Sequence, residues 1–388
     1  MRIFFSAGEP SGDEHAAELI RELRQRIPTL EAVGYGGPEM QRAGCKLKFQ
    51  LTDLAVMGFV RVAPLLWKFV KLVKQVEREF EQQPPDAVVL VDFPGFNWWV
   101  ARKAKKAGIP VFYYLPPQLW AWASWRIKRV RRYVDHVLCT LPFEYQWYAH
   151  RNVRAHYVGH PFFDQVAKKK LDERFLNQWR SCPQRLVAVL PGSRAQEISH
   201  NWTLMLHALQ RVRRRHPDVR YLVACYKDQH LERCRQVAQE KAPELPLEFF
   251  VGRTSEIIEL AECAIMVSGS VSLEMLARLT PAVVLYHVNW ATFFAGRKLI
   301  NCCYLSLPNL IAEYDILPEW VCVGSARAEL RQLSNTLTHW LARPQALQAV
   351  RQELAELREQ VAVPGAAARA AELILKHTSG DAEEKAAA

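Results

Sequence analysis

The stretch "DAVVLVDFPGFN" ends an unbroken apolar run with Asp92. Such a run reads as a strand covered on both faces, so the aspartate sits where the strand opens into a loop. An ionised carboxylate in that position needs a hydrogen-bond partner or a chemical task. The task would be general base; the plain alternative is a carboxylate that binds loop N–H groups. Two other stretches favour the opposite charge. "LPGSRAQEI" sets Gly192, Ser193 and Arg194 directly after a strand. Glycine lets a backbone approach a ligand closely, and the arginine fork matches phosphate oxygens. A simple turn with a surface arginine is the competing reading. "VSGSVSLEM" places Gly269, Ser270 and Ser272 before a helix, whose free N–H groups can hold an anion. Glu274 falls in its first turn, where it would accept from ribose hydroxyls or simply favour the helix dipole.

The first loop, "GEPSGDEHAAEL", has two readings of equal weight. Ser11 and Glu14 fit a capping box at a helix start. The glycines equally suit close contact with a ligand, and Asp13 then becomes a second candidate base. "YVGHPFFD" presents His160 before Pro161, either as a structural histidine or as a substrate contact. The P-loop pattern G-x-x-x-x-G-K-[ST] is missing, which argues against an NTPase. The G-x-G-x-x-G fingerprint is missing too, which argues against a dinucleotide dehydrogenase.

The elements that must position these residues alternate. "MRIFFSA", "EAVGYG", "DAVVLVD", "PVFYYL" and "HVLCTL" read as strands, with helical periodicity in segments such as "HAAELIRELRQRI". The pattern restarts with "RLVAVL", "VRYLVACY", "CAIMVS" and "PAVVLYHV". The class is therefore α/β: two Rossmann-like, doubly wound domains, with ligands at the carboxyl ends of parallel strands and the two halves facing one cleft. The expected domains are 1–170, 171–350, C-terminal helices over 351–377 that return to the first half, and a disordered tail over 378–388.

The chain has 388 residues, 50% of them hydrophobic and 23% charged, with a net charge of +11. That surplus fits nucleic acid, an anionic membrane surface or phosphorylated substrates. No nucleic-acid motif accompanies it, so nucleic acid is not expected. Nine cysteines lie scattered without C-x-x-C pairs or histidine partners, which points to reduced thiols in the cytosol and to no metal. The start reads as no signal peptide, and no apolar run reaches the ~18 residues of a spanning helix. "VMGFVRVAPLLWKFVKLVKQV" is basic and amphipathic instead: Met57, Phe59, Leu65, Leu66, Trp67 and Phe69 stand among Arg61, Lys68, Lys71 and Lys74. It would lie in a membrane interface or serve as an ordinary core-facing helix.

In order, "AGEPSGD", "GYGGPEM", "LAVMGFVRV", "DFPGFN", "LPPQLWAW", "VGHPFFD", "LPGSRAQEI", "SGSVSLEML" and "SLPNLIA" span nearly the whole chain. Together they resemble the lipid-A-disaccharide synthase family, inverting glycosyltransferases of the B-type fold. The resemblance implies that UDP-2,3-diacylglucosamine donates its sugar to the 6-hydroxyl of 2,3-diacylglucosamine 1-phosphate. The products would be a β(1→6) disaccharide 1-phosphate and UDP. It places the protein in the cytoplasm, peripheral at the cytoplasmic face of the inner membrane, with an anionic membrane surface as partner, and it is compatible with a homodimer.

The implied roles go residue by residue. Arg194 and Ser193 would meet the diphosphate, with backbone N–H groups of Ser270, Val271 and Ser272. Glu274 would hold the ribose, and Asn309 would lie on the nucleotide side. Gly12, Asn97 and His160 would border the acceptor. Asp92 would take the hydroxyl proton, with Asp13 in reserve, and no cofactor or metal is implied. Several positions depart from the family pattern. Gly95 replaces an aspartate in the common D-A-P-D-F-N form, Ala123 replaces a basic residue, and Cys322 replaces a glutamine. These departures keep two alternatives in view, a UDP-sugar transferase with a different lipid acceptor and a degenerate homologue that only binds membrane surfaces.

Overall fold

Strands rich in Val, Ile and Leu without polar alternation form the centres of two parallel sheets. The computed structural model describes residues 1–53 and 62–387. Met57 and Phe59 lie outside them, and Leu65 and Leu66 are described only as helix backbone. The chain divides into two compact units, Met1–Asp164 with Val363–Ala388, and Gln165–Ala362.

The first unit holds β1 (Arg2–Ala7), β2 (Glu31–Gly36), β3 (Lys46–Gln50), β4 (Ala87–Val91), β5 (Val111–Tyr114), β6 (His136–Cys139) and β7 (Ala155–Tyr157). They form one parallel sheet in the order β3-β2-β1-β4-β5-β6-β7. Alternate residues of β1 feed opposite layers: Phe4 joins Val33, Val88 and Leu90, whereas Ile3 and Phe5 join Ala16, Leu19 and Ile20. The second unit holds β8 (Arg185–Leu190), β9 (Val219–Cys225), β10 (Leu247–Val251), β11 (Cys263–Met266), β12 (Ala282–Val288) and β13 (Glu319–Val323). Its sheet is also parallel, ordered β10-β9-β8-β11-β12-β13.

Both orders reverse direction once, between β1 and β4 and between β8 and β11. At such a switch the loops leaving two neighbouring strands part to opposite faces and open a crevice at the carboxyl ends. The loops and helix starts that follow β1 and β4 carry Gly8–Asp13 and Asp92–Asn97. Those that leave β8 and β11 carry Gly192–Arg194 and Ser268–Ser272.

Three expectations from the sequence change. The first unit ends at Asp164 and resumes at Val363, so helix Pro344–Val361 belongs to the second unit and only the last helix returns. That helix, Ala366–Ala387, runs on through the expected disordered tail. Its Ala, Glu and Lys are strong helix formers. The amphipathic helix Val62–Gln82 turns Phe69 inward, 5.6 Å from the Phe96 ring and against the core. Phe69 therefore leaves the proposed membrane face, while Trp67 stays 80% exposed. No described helix is long and apolar enough to cross a membrane.

The returning helix is held by polar contacts as well as packing. Ala370, Ala371 and Ile374 join the core layer of helix Pro10–Arg26. The Asp164 carboxylate accepts from the Gly365 and Ala366 N–H groups at 2.6 and 2.9 Å, at the start of the helix. The Arg369 guanidinium donates to the Val158 carbonyl at 2.9 Å. Hydrogen bonds to a charged acceptor are worth roughly 1.5–3 kcal/mol each. Asp164→Ala should cost the fold about 2–3 kcal/mol. It should also speed hydrogen exchange across 366–376 before exchange rises elsewhere in the unit; unchanged exchange there would refute the capping role.

Candidate functional site

At the first switch, β1 and β4 pair Ala7 with Val91, so their outgoing loops start side by side. Gly8 must be glycine, because a Cβ there would come within 2.1 Å of the Phe93 ring. Gly12 faces Asp92: its Cβ would lie 3.7 Å from the aspartate's own. Asp92 and Phe93 are both left-handed, at φ 46° and 45°. That conformation is unfavourable for residues with a Cβ and persists only where surroundings enforce it. The Tyr113 hydroxyl donates to the Asp92 carbonyl at 2.8 Å, and Asn97 Nδ2 donates to it at 2.7 Å. Asn97 Oδ1 in turn accepts from the Ser6 hydroxyl at 2.6 Å, which ties the turn to β1.

The clamped turn presents the Asp92 carboxyl in a half-buried setting. Burial pushes its pKa up to about 6, the nearby Glu9 carboxylate adds to the rise, and the Phe93 N–H opposes it. The helix after the first loop starts at Pro10 with Glu9 at its cap position, so the capping box expected of Ser11 and Glu14 does not form. Proline supplies the start instead, because it lacks an N–H that would need a partner.

Asp13 has other work. It is 2% exposed and accepts from the N–H groups of Gly37, Glu39 and Met40 at 2.8, 2.9 and 3.1 Å. These bonds cap the short helix Pro38–Arg42. A carboxylate so occupied positions the second loop. Asn97, expected to touch the acceptor, spends its amide on Ser6, Val91 and Asp92 and acts from behind the site. His160 accepts from the Phe162 N–H at 3.2 Å, and its ring meets that of His15 edge-on at 6.3 Å. Burial lowers His160 to about 3 and His15 to about 4, so both stay neutral. Gly95 is exposed, with nothing within 4 Å of where a Cβ would stand.

At the second switch Glu197 organises the loop after β8. Its Oε2 accepts from the Ser193 and Arg194 N–H groups at 3.0 and 3.2 Å, and its Oε1 from the Arg194 guanidinium at 2.8 Å. Gly192 is left-handed at φ 115°, and a Cβ there would press on Glu197 at 2.8 Å. The Arg194 side chain is 78% exposed and keeps donors for a ligand.

After β11, Ser268 donates to the Leu305 carbonyl at 2.6 Å, and Ser272 accepts from the Leu307 N–H at 3.4 Å. The "SLPNLIA" segment is thereby fastened beside the helix Val271–Arg278. The Ser272 N–H already bonds the Gly269 carbonyl at 3.0 Å, which takes it out of the expected anion-binding set. Ser270 is exposed and, with Val271, heads the helix. Glu274 is buried and its Oε1 accepts from Arg278 Nε at 3.0 Å, so a ribose would share this carboxylate with an arginine.

Asn309 is fully buried. It accepts from the Ile316 and Leu317 N–H groups at 3.0 and 2.9 Å and donates to the Leu317 carbonyl and to Glu319 at 2.7 and 2.8 Å. Glu319 also accepts from the Leu305 and Ser306 N–H groups at 2.6 and 2.7 Å. Asn309 therefore shapes this segment, and its side chain has nothing left for a nucleotide. Sequence reasoning missed Tyr113, Glu197, Glu319 and Glu9. Of these only Glu197 carried a readable signal, an acid three residues after a phosphate-type Gly-Ser-Arg turn.

The model of the lipid-A-disaccharide synthetase family matches residues 3–374. Lipid-A-disaccharide synthase of Anaeromyxobacter sp. (strain K) is 33% identical over 377 residues, covering 96% of this chain and 97% of its own. That of Myxococcus xanthus is 34% identical over 381 residues, covering 97% of each. Solved structures agree on the fold at low identity. The S. aureus MnaA–UDP co-structure superposes with a TM-score of 0.66 at 12% identity, covering 97% of this chain and 96% of that one. UDP-GlcNAc 2-epimerase from Neisseria meningitidis, bound to UDP-GlcNAc, gives 0.64 at 12%, covering 97% and 99%. The calicheamicin glycosyltransferase CalG4 gives 0.59 at 15%, covering 98% of both. The fold is thus the expected glycosyltransferase B-type, built of two Rossmann-like units.

The raised Asp92 carboxyl makes stability depend on pH. Its ordinary value is 3.8 and its folded value about 6. A group that binds its proton more tightly when folded favours the fold while protonated. That contribution is lost as pH rises from the unfolded value through the folded one. Asp92→Asn removes the loss. Its stability relative to the unsubstituted protein should rise by about 2–3 kcal/mol between pH ~4 and ~7 and then level off. Denaturant unfolding at a series of pH values measures this, and a flat difference would contradict a buried, ionisable Asp92.

Proposed function

The chain belongs to the lipid-A-disaccharide synthetase family and is a glycosyltransferase of lipid A assembly, and from that premise we propose the reaction in detail. It moves 2,3-diacylglucosamine from UDP-2,3-diacylglucosamine to the 6-hydroxyl of 2,3-diacylglucosamine 1-phosphate, with inversion. A β(1→6) disaccharide 1-phosphate and UDP leave. The observation that carries the reading is the clamped Asp92 turn, which holds a proton-seeking carboxyl at a switch point. A base works best with a pKa near the working pH, and burial brings Asp92 towards it.

In this reading Asp92 takes the 6-hydroxyl proton as that oxygen attacks the anomeric carbon from the face opposite UDP. The bond from that carbon to the diphosphate breaks, and its electron pair leaves with UDP. Arg194 and the helix start at Ser270 and Val271 receive the negative charge that develops on the diphosphate. A guanidinium and a helix terminus suffice for that charge, so the reading assigns no metal to the step. Support for a uridine nucleotide comes from two structural relatives, one solved with UDP and the other bound to UDP-GlcNAc.

The acyl chains call for a membrane surface. The first unit exposes Trp67, Trp122 and Trp125, with the Arg126 guanidinium 4.6 Å from the Trp122 ring centre. Lys68, Lys71 and Lys74 are exposed on the helix that carries Trp67. Indole rings favour the interface and lysines meet anionic headgroups, at about 1 kcal/mol per charge near the surface. The protein then works as a peripheral enzyme at the cytoplasmic face of the inner membrane.

Incubation of the purified protein with the two lipid substrates should yield disaccharide 1-phosphate and UDP; no product from this pair, with turnover on another acceptor, would reassign the substrate. Asp92→Asn should lower kcat by about 10²–10⁴-fold with UDP affinity nearly unchanged. Arg194→Ala should weaken UDP binding by roughly 10–100-fold, the equivalent of about 1.5–3 kcal/mol.

The membrane reading has its own test. Trp67→Ser combined with Trp125→Ser should release the protein from vesicles containing anionic lipid while UDP binding and the melting temperature hold. Undiminished vesicle binding would place the contact elsewhere.

A further inference from the structure

Three histidines far apart in sequence meet in the first unit. His136 opens β6, His156 is the central residue of β7, and His377 lies on the returning helix. β6 and β7 pair Leu138 with His156, and His136 stands two residues before Leu138 on the same face of the sheet. Helix position 377 follows Ile374, whose side chain is in the core, by three residues and so points towards the same layer. His136 Nδ1 and His156 Nε2 are 3.1 Å apart. The His136 and His377 rings stack with centres 4.1 Å apart. Among the described residues this is the one trio of potential ligands, with ligating atoms all within 4.8 Å of one another.

We propose that His136, His156 and His377 bind a divalent transition-metal ion of the zinc class, which fastens the returning helix to the sheet edge. Tetrahedral zinc with Zn–N bonds of about 2.0–2.1 Å sets its ligand nitrogens about 3.3 Å apart. The His136–His156 pair already has that spacing. The third ligand comes into place by rotation of the His377 ring out of its stack. Three imidazoles and one open position for water suit Zn²⁺, Co²⁺, Ni²⁺ or Cu²⁺ and do not suit Mg²⁺ or Ca²⁺, which take oxygen ligands. Whichever of His136 and His156 donates across the 3.1 Å contact shifts its proton to its other ring nitrogen. All three would ligate as neutral imidazoles. The site lies at the β6–β7 edge of the sheet and not at the β1–β4 switch. Its role is therefore to secure the C-terminal helix, separate from transfer chemistry.

Co²⁺ titration of the untagged, full-length protein tests the assignment. One equivalent should bind with the visible d–d bands of a four-coordinate site and should be displaced by Zn²⁺. A sulfur-to-cobalt charge-transfer band should not appear, since Cys302 and Cys303, neither of them buried, are the obvious competing ligands. His377→Gln and His156→Gln should each weaken the affinity by at least about tenfold. Both should leave metal-free melting close to that of the unsubstituted protein. Zn²⁺ should raise the melting temperature and slow hydrogen exchange over 366–376 in the unsubstituted protein alone. Binding that survives both substitutions, or shows the sulfur band, overturns the proposal, as does the lack of stoichiometric binding. If one variant fails to fold, the sulfur band and the exchange readout on the unsubstituted protein still decide.

Discussion

Where a parallel strand ends, its backbone polar groups leave the ladder while still shielded from water, and each must find a partner. This one constraint shapes every loop that could meet substrate. Four loops meet it with buried or half-buried polar side chains. Asp13 takes the amides of Gly37, Glu39 and Met40. Asn97 ties Ser6 to Asp92. Glu197 gathers Ser193 and Arg194. Asn309 and Glu319 share Leu305, Ser306, Ile316 and Leu317. None of these side chains needs to meet a ligand for the ligand to depend on it. Each fixes a loop whose remaining groups face outward, which is how a precise site is held on irregular backbone.

The two switch points use this device towards opposite electrostatic ends. At the first, burial raises the Asp92 carboxyl and the nearby Glu9 carboxylate adds to the rise. The result is a carboxyl that holds a proton more readily than a free one, as proton abstraction near neutral pH requires. At the second, the acid that organises the loop is tied up by backbone amides, and the arginine projects into solvent. That result favours an incoming anion. On the proposed reading, acid–base chemistry and leaving-group charge fall to different loops, each with its own supporting hydrogen bonds.

The sequence made the central strands legible and the edges illegible. β1, β4, β5 and β8 are continuous apolar runs because helices cover both their faces. The four unforeseen strands, β3, β7, β10 and β13, are the edges of the two sheets. "KLKFQ", "AHY", "LEFFV" and "EWVCV" are partly exposed, so their apolar runs are short or mixed with polar residues and do not stand out. Site residues divide in a similar way. Arg194, Ser270 and Asp92 stand on exposed or half-buried loop positions. Asp13, Asn97 and Asn309 share the same motifs yet face inward. A motif records which residues a family needs, whether for contact or for support, and only the hydrogen bonds separate the two. The histidine trio left no trace in spacing at all, since its members come from two strands and a helix more than 200 residues further on.

The amphipathic helix Val62–Gln82 shows why the sequence offered two readings of one segment. Phe69, Leu72, Val76 and Phe80 recur at three- and four-residue intervals and pack into the core beside Phe96. Trp67, Lys68, Lys71 and Lys74 recur on the other side and are exposed. A core-facing apolar stripe and an exposed basic face are therefore two sides of one element. The apolar stripe anchors it to the sheet, and that anchorage keeps the indole and the lysines turned outward together. A free amphipathic helix would bind lipid with its apolar stripe. This one has that stripe occupied, so any grip on a bilayer rests on aromatic anchors and charge. Such a grip is weaker per residue and easily reversed, which suits an enzyme whose lipid product must leave.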